Sequence, residues 1–445
     1  MKIQVFSGQA PGLATLFGSE MWERFSYYGM RALLVLYMVD HLLEPARMER
    51  ALGLAALKNA LESVSGPLGP QPFASQIYGL YTGLVYLTPI LGGFVADRWL
   101  GRTRTIALGA GLMVAGHFMM AYEPFFLIAL SLIAFGCGAF KPNISTQVGE
   151  LYARDDPRRD RAYSIFYVGI NIGAFLAPLV CGTLGETVGW HYGFASAGVG
   201  MAIGLATYLS GLSRLPPAPP PLKVRPTPTE RRQFRRAFLG ILVLFLPSAL
   251  FWAAFEQQGN TIALWAAQHT DRGVGLFGWR AEIPVTWFQA FNPLMIFLFT
   301  PPLVAFWGNL ARKGREPSTM RKLSVGCLGV SLSYGVMAVA AWMSDGGKAS
   351  WLWLLAYFIV LTLSELHFSP ITLSLVSHLA PAGSRSALMG AWFSSMFLGN
   401  LLAGLIGSFW TSLSGASFFL LVSSLGVGAA IIVEVARFPL RGVLR

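Results

Sequence analysis

Charge is what this chain has least of. Asp, Glu, Lys and Arg make up 12% of its 445 residues, while 54% are hydrophobic and the mean hydropathy is +0.55. A soluble domain carries about twice that share of charge, so a freely soluble protein is excluded. Cysteine is scarce as well: Cys137, Cys181 and Cys327 all lie in apolar segments without metal-ligand spacing. No disulfide framework, redox pair or metal site is expected from them. Two further features are missing, a phosphate-binding glycine loop that would signal ATP and a clean apolar leader. The first apolar segment carries four charges, so it is expected to stay in the mature protein.

What the chain does have is apolar runs of helix length, such as Phe125 to Phe140, Gly240 to Phe255, Trp351 to Leu363 and Ala416 to Val433 with their flanks. Runs of this kind cross a bilayer as single helices that satisfy their own backbone, whereas barrel strands alternate every second residue. The chain reads as an integral membrane protein with twelve spans, at about 13–39, 74–96, 104–121, 125–150, 163–183, 190–212, 236–268, 284–311, 319–343, 350–378, 384–411 and 415–437. Six precede a Pro- and Arg-rich linker and six follow it, so the expected domains are residues 1–212, the linker 213–235, and residues 236–445.

The net charge of +12 would suggest nucleic acid in a soluble protein. Here its distribution matters more. Arg98, Arg102 and Arg104 follow the second span; Arg154, Arg158, Arg159 and Arg161 follow the fourth; Arg312, Lys313, Arg315, Arg321 and Lys322 follow the eighth. Positive charge gathers on the cytoplasmic side, so both termini and the linker are expected there, with no nucleic-acid partner. The first odd loop, Leu43 to Phe73, is mixed: Arg47, Arg50 and Lys58 are matched by Glu44, Glu49 and Glu62.

An ionisable side chain at mid-membrane costs at least ~2.5 to 3.5 kcal/mol, so each needs a reason. Seven qualify: Glu20, Glu23, Arg24 and Arg31 on the first span, Lys141 on the fourth, Glu256 on the seventh and Glu365 on the tenth. At 100° per residue, Glu20, Glu23, Arg24, Tyr27, Tyr28 and Arg31 share one side of a helix. Basic Arg24 and Lys141 come from the first half and acidic Glu256 and Glu365 from the second. That division suits a zwitterion whose carboxylate and ammonium are separated by a short backbone. Tyr27, Tyr28, Tyr81, Trp252 and Trp392 are candidates for an aromatic lining. Gly399, Ala403 and Gly407, four apart on the eleventh span, read as a helix-packing seam.

Loop and helix motifs point the same way. The stretch from Gly92 to Arg102 approaches the G-x-x-x-D-R-x-G-R loop of major facilitator transporters, and Lys141 beside Pro142 reads as a binding cation on a bent helix. Glu20 to Tyr28 resembles the E-x-x-E-R-F-x-Y-Y motif of the proton-dependent oligopeptide transporters, a family within the major facilitator superfamily. Phe166 to Gly173 is similar to the family's F-Y-x-x-I-N-x-G signature. Phe251 to Gln257, Asn292-Pro293, Ser364 to Pro370 and Met389 to Phe393 extend the resemblance over nearly the whole chain.

The resemblance implies that Arg24 and Lys141 hold a peptide carboxylate while Glu365 takes its amino terminus. Asn171 and Asn292 would bond the peptide backbone, with Tyr27, Tyr28, Tyr81, Trp252, Ser369 and Trp392 around the side chains. Arg31 and Glu256 would form a gating pair, and Glu20 and Glu23 would couple proton to substrate. Many bacterial members carry two further helices between the halves, for which this linker is too short. Gly79 replaces a functional histidine of animal members, which leaves proton handling to the carboxylates, and His367 and His378 are expected to pack or sit at the interface.

The expected architecture is therefore an all-α integral membrane protein of the major facilitator fold, two six-helix bundles with one substrate site near the midplane. The expected activity is proton-coupled import of di- and tripeptides across the plasma membrane, a bacterial inner membrane, by alternating access. No enzymatic activity and no cofactor is expected beyond the coupling proton, and the chain is expected to act as a monomer. The alternatives are a transporter of the same fold for nitrate, an amino acid or a drug, and a membrane sensor that no longer transports.

Overall fold

The computed structural model describes residues 6–153, 156–216, 228–276, 279–379 and 385–440. Among them twelve helices reach membrane length: α1 (Gly12–Tyr37), α2 (Pro70–Val95), α3 (Arg102–Met119), α4 (Phe126–Glu150), α5 (Arg158–Ala177), α6 (Trp190–Ser210), α7 (Pro228–Phe255), α8 (Phe291–Arg312), α9 (Thr319–Ser344), α10 (Leu352–Leu379), α11 (Arg385–Gly407) and α12 (Gly415–Leu440). Ten helical segments qualify as membrane spans on length and apolarity. The other two are α1, with its buried charges, and α3, which opens on Arg102 and Arg104. These are the twelve expected spans of an all-α major facilitator fold. The central part of the Pro- and Arg-rich linker, 217–227, lies outside the described residues, as do Arg154 and the side chain of His378.

The helices form two compact units, Met1–Pro70 with Leu84–Leu222 and Gln71–Gly83 with Lys223–Arg445. Within the first, α1 packs on α5 and α6, and α3 packs on α4 and α6. Within the second, α7 packs on α11 and α12, and α9 packs on α10 and α12. The same pairing scheme therefore occurs twice, six helices apart, as expected of a fold built from repeated bundles. The first half of α2 clusters with the second unit and its remainder with the first.

Glycine sets the closeness of these contacts. A Cβ on Gly173 of α5 would stand 2.1 Å from Met21 O and 2.9 Å from Arg24 Cβ. One on Gly92 of α2 would stand 2.0 Å from Gly138 O on α4. Small residues permit backbone-to-backbone approach where apolar side chains gain nothing over lipid. The expected seam on α11 follows this rule. A Gly399 Cβ would meet Trp252 Cβ at 2.7 Å, Ala403 O accepts from Gln257 at 2.8 Å, and a Gly407 Cβ would meet the Asn260 amide.

Where the sequence suggested uninterrupted spans or plain loops, the structure adds detail. The seventh span breaks after Phe255 into a tight 3₁₀ turn, Glu256–Gly259, and resumes as a short helix, Thr261–Gln268. Beyond it, Gly273–Leu276 pairs antiparallel with Trp279–Glu282. The first odd loop contains two short helices, Pro45–Met48 and Leu54–Ser65. Its Arg47 pairs with Glu44 at 2.9 Å and with Glu123 at 2.8 Å, and Lys58 lies 3.7 Å from Glu62. Basic charge in this loop is thereby largely neutralised.

Candidate functional site

The polar stripe of α1 is buried. Glu20 is 2% exposed, Glu23 0%, Arg24 5% and Arg31 6%. One turn of helix separates Glu20 from Arg24, and the Arg24 Nε–H donates to Glu20 Oε1 at 2.7 Å. Glu23 Oε2 is also close to that nitrogen, at 2.8 Å, but without hydrogen-bond geometry. A single guanidinium thus serves two carboxylates unequally. Glu20 takes its hydrogen bond and Glu23 takes only its charge.

Lys141 stands on α4 just before Pro142, whose missing N–H leaves Gly138 O without its usual intrahelical donor. The Lys141 ammonium lies 4.9 Å from the Tyr27 ring centroid and 5.4 Å from that of Tyr86, within cation–π range. Among the described residues it makes no ion pair or hydrogen bond, so its three donors remain for a ligand. Tyr28 stacks edge-on against Tyr27 at 5.3 Å, and the Arg31 guanidinium lies 5.8 Å from the Tyr28 ring. Asn171, on α5, spends one amide N–H on Tyr167 O at 3.0 Å. Together Glu20, Glu23, Arg24, Tyr27, Tyr28, Arg31, Lys141 and Asn171 belong to the first unit.

The second unit holds Tyr81, Trp252, Glu256, Asn292, Glu365, Ser369 and Trp392. Asn292 donates to Glu365 Oε2 at 2.8 Å and to Thr362 Oγ1 at 3.1 Å. Glu365 is half-buried, as are Asn292 and Ser369, whereas Tyr81, Trp252 and Trp392 are buried. Glu256, 1% exposed, sits at the break in the seventh span, with the Tyr78 hydroxyl 3.5 Å from its Oε2. His367 donates its Nδ1–H to Leu363 O, 2.7 Å away, and packs edge-on to Trp307, the structural role expected of it.

Sequence reasoning missed one polar cluster beside this break. Gln257 donates to Ala403 O at 2.8 Å, and its own Oε1 accepts from Thr261 at 3.0 Å and from Asn260 at 3.3 Å. Ser75 donates to Asn260 Oδ1 at 2.8 Å, while Gln71 reaches Ser75 and Gly407 O. Broken helix ends expose backbone carbonyls that need donors. The signal was present in the polar run Glu256 to Thr261, which an uninterrupted span would not tolerate.

Comparison with known proteins places this geometry in context. The POT family model matches residues 103–232 and 226–419. The chain is 34% identical to a di-/tripeptide transporter of Lactococcus lactis subsp. cremoris, covering 98% of this chain and 97% of that one. It is also 34% identical to the peptide transporter YePEPT of Yersinia enterocolitica, over 91% of this chain and 88% of the relative. The crystal structure of a peptide transporter POT in complex with sulfate superposes with a TM-score of 0.82 at 30% identity, covering 99% of this chain and 96% of that one.

Proposed function

This chain belongs to the POT family, and from that premise we propose that it is a proton-coupled symporter that imports di- and tripeptides by alternating access. The observation that carries the reading is the buried set Glu20, Glu23, Arg24 and Lys141, two acids and two bases, in which the Lys141 ammonium has no acid bound to it. A peptide carboxylate entering there brings a third anion to two cations. Protonation of one glutamate restores the balance, so substrate and proton each favour the binding of the other.

The remaining roles are those that the family resemblance implies. Lys141 and Arg24 take the peptide carboxylate, and Glu365, oriented by Asn292, takes the ammonium. Asn171 and Asn292 bond the peptide backbone, while Tyr27, Tyr28, Tyr81, Trp252, Ser369 and Trp392 line the space for side chains. Arg31 and Glu256 act as gating charges. A proton entering down about 100 mV supplies ~2.3 kcal/mol, and one pH unit adds ~1.4 kcal/mol. The sum supports roughly several-hundred-fold accumulation of a net-neutral peptide. The protein works as a monomer in the plasma membrane, with both termini in the cytoplasm and no cofactor but the coupling proton.

Uptake of a labelled dipeptide into proteoliposomes, with and without an inward proton gradient, tests this. Gradient-dependent accumulation is expected. No such uptake for any of a panel of di- and tripeptides refutes it, and uptake of nitrate, amino acids or drugs instead favours the alternative substrates. Peptide binding without flux under any gradient identifies a sensor.

A further inference from the structure

Glu23 has an unusual partner. Its Oε1 accepts from the Cys137 thiol, with Sγ 3.6 Å away, and Cys137 is the one side chain among the described residues that hydrogen-bonds its carboxylate. The same sulfur lies 3.8 Å from Met113 Sδ on α3. Other charged or titratable groups near Glu23 are Arg24 and Glu20 on α1 and Lys141 one turn after Cys137 on α4. Tyr28 adds its phenol beside Arg24. From α6 this stretch meets Met201 and Gly204, which do not titrate. His117, one turn beyond Met113 on α3, is buried with no hydrogen bond to any of these groups.

A thiol both donates and accepts, weakly, and its hydrogen rotates about the Cβ–Sγ bond. We propose that Cys137 is a positioning residue for the proton site, a rotor whose S–H points to Glu23 when the carboxylate is ionised and turns to Met113 Sδ when Glu23 is protonated and donates its own O–H to the sulfur. No proton passes through the sulfur: the thiol keeps its hydrogen in both states, and Glu23 gains and loses one. Both states of Glu23 thereby keep a hydrogen-bond partner in a site closed to water. Arg24 contributes charge in either state, but its Nε–H is committed to Glu20. The inference rests on Glu23 being a coupling acid. Because Lys141 rides on the same helix one turn away, peptide contact and proton contact share one rigid element.

The consequence has a sign. The thiol donates to the ionised carboxylate more strongly than the sulfur accepts, so removing it disfavours the ionised form and moves protonation to higher pH. In proteoliposomes, Cys137→Val and Cys137→Ala are expected to shift the midpoint of pH-driven dipeptide uptake upward by about 0.5 to 1 unit, a roughly 3- to 10-fold change in proton affinity. Cys137→Ser, which keeps a rotating donor and acceptor, is expected to stay within about 0.3 unit of the parent. Midpoint pH is the readout because loss of protein or turnover does not move it. Unshifted Val and Ala profiles overturn the proposal, and an equal shift in the Ser variant assigns the effect to packing.

An infrared titration separates this inference from the reading it rests on. With Cys181 and Cys327 replaced by Ala, the S–H stretch of Cys137 is expected to move with pH at the midpoint of uptake and to lose that pH dependence in Glu23→Gln. A band that still moves in Glu23→Gln reports another acid, and the rotor fails. Proton-driven uptake that survives Glu23→Gln with its pH profile intact refutes Glu23 as coupling acid, whatever the thiol does.

Discussion

Asn292 donates its side-chain amide to Glu365 at 2.8 Å, one residue on α8 holding an acid on α10 within the same unit. The motif positions alone assigned Asn292 to the peptide backbone. The contact suits it to a second task on the proposed reading, fixing the carboxylate proposed to meet the ammonium. Asn292→Ala is expected to weaken free-amino dipeptides by about 3- to 10-fold, the net worth of one ordinary hydrogen bond, because Asn292 acts on the ligand only through Glu365. Glu365→Gln should weaken them further, and amino-blocked analogues should be affected much less by either change. Competition assays with a dipeptide and its acetylated counterpart decide the matter: equal losses for both ligands would remove the ammonium role.

Lys141 carries an ammonium whose contacts are aromatic faces rather than acids. Lys141→Ala is expected to abolish gradient-driven uptake, because Arg24 alone must then serve two glutamates and a peptide carboxylate. Wild-type uptake in that variant would take Lys141 out of the site.

Glu20 and Glu23 differ in their hold on Arg24, so their amide variants should differ too. Both Glu20→Gln and Glu23→Gln are expected to spare peptide counterflow at equal pH while losing concentrative uptake. Glu20→Gln should weaken peptide binding more, since it also loosens the Arg24 guanidinium. Intact concentrative uptake in both variants contradicts the coupling role.

Gly173 allows α5 to lie on α1 beside Arg24, and there is no space for a methyl group 2.1 Å from Met21 O. Gly173→Ala must separate the helices and displace Arg24, a strain of about 1 to 3 kcal/mol or more. A lower unfolding temperature in detergent and a weakened peptide affinity are expected together. Normal stability and affinity would show that the contact relaxes freely.

The Gln257 cluster satisfies polar groups around a broken helix. Gln257→Leu leaves Ala403 O, Asn260 and Thr261 short of partners in a buried setting, at a cost of about 1 to 3 kcal/mol. Thermal unfolding should report it, with peptide affinity changed less than stability. A larger effect on affinity than on stability would move these residues into the site.

Sequence alone determined the fold class, because apolar run length and the burial cost of charge are local properties that leave few solutions in a bilayer. Runs of helix length gave the spans, and the stripe from Glu20 to Arg31 gave a buried polar face, since helical spacing places those side chains on one side whatever surrounds them. Only the tertiary structure decided how the charges are shared. That Arg24 gives its hydrogen bond to Glu20 and its charge alone to Glu23 is a matter of side-chain geometry in the packed structure, which spacing along α1 does not encode. The same holds for Cys137, which looks like any small buried residue in the sequence and meets Glu23 only where the packing of the first unit brings α4 against α1. The break at Glu256 likewise needed the donors of α2 and carbonyls of α11 to be brought to it, contacts between residues more than 140 positions apart.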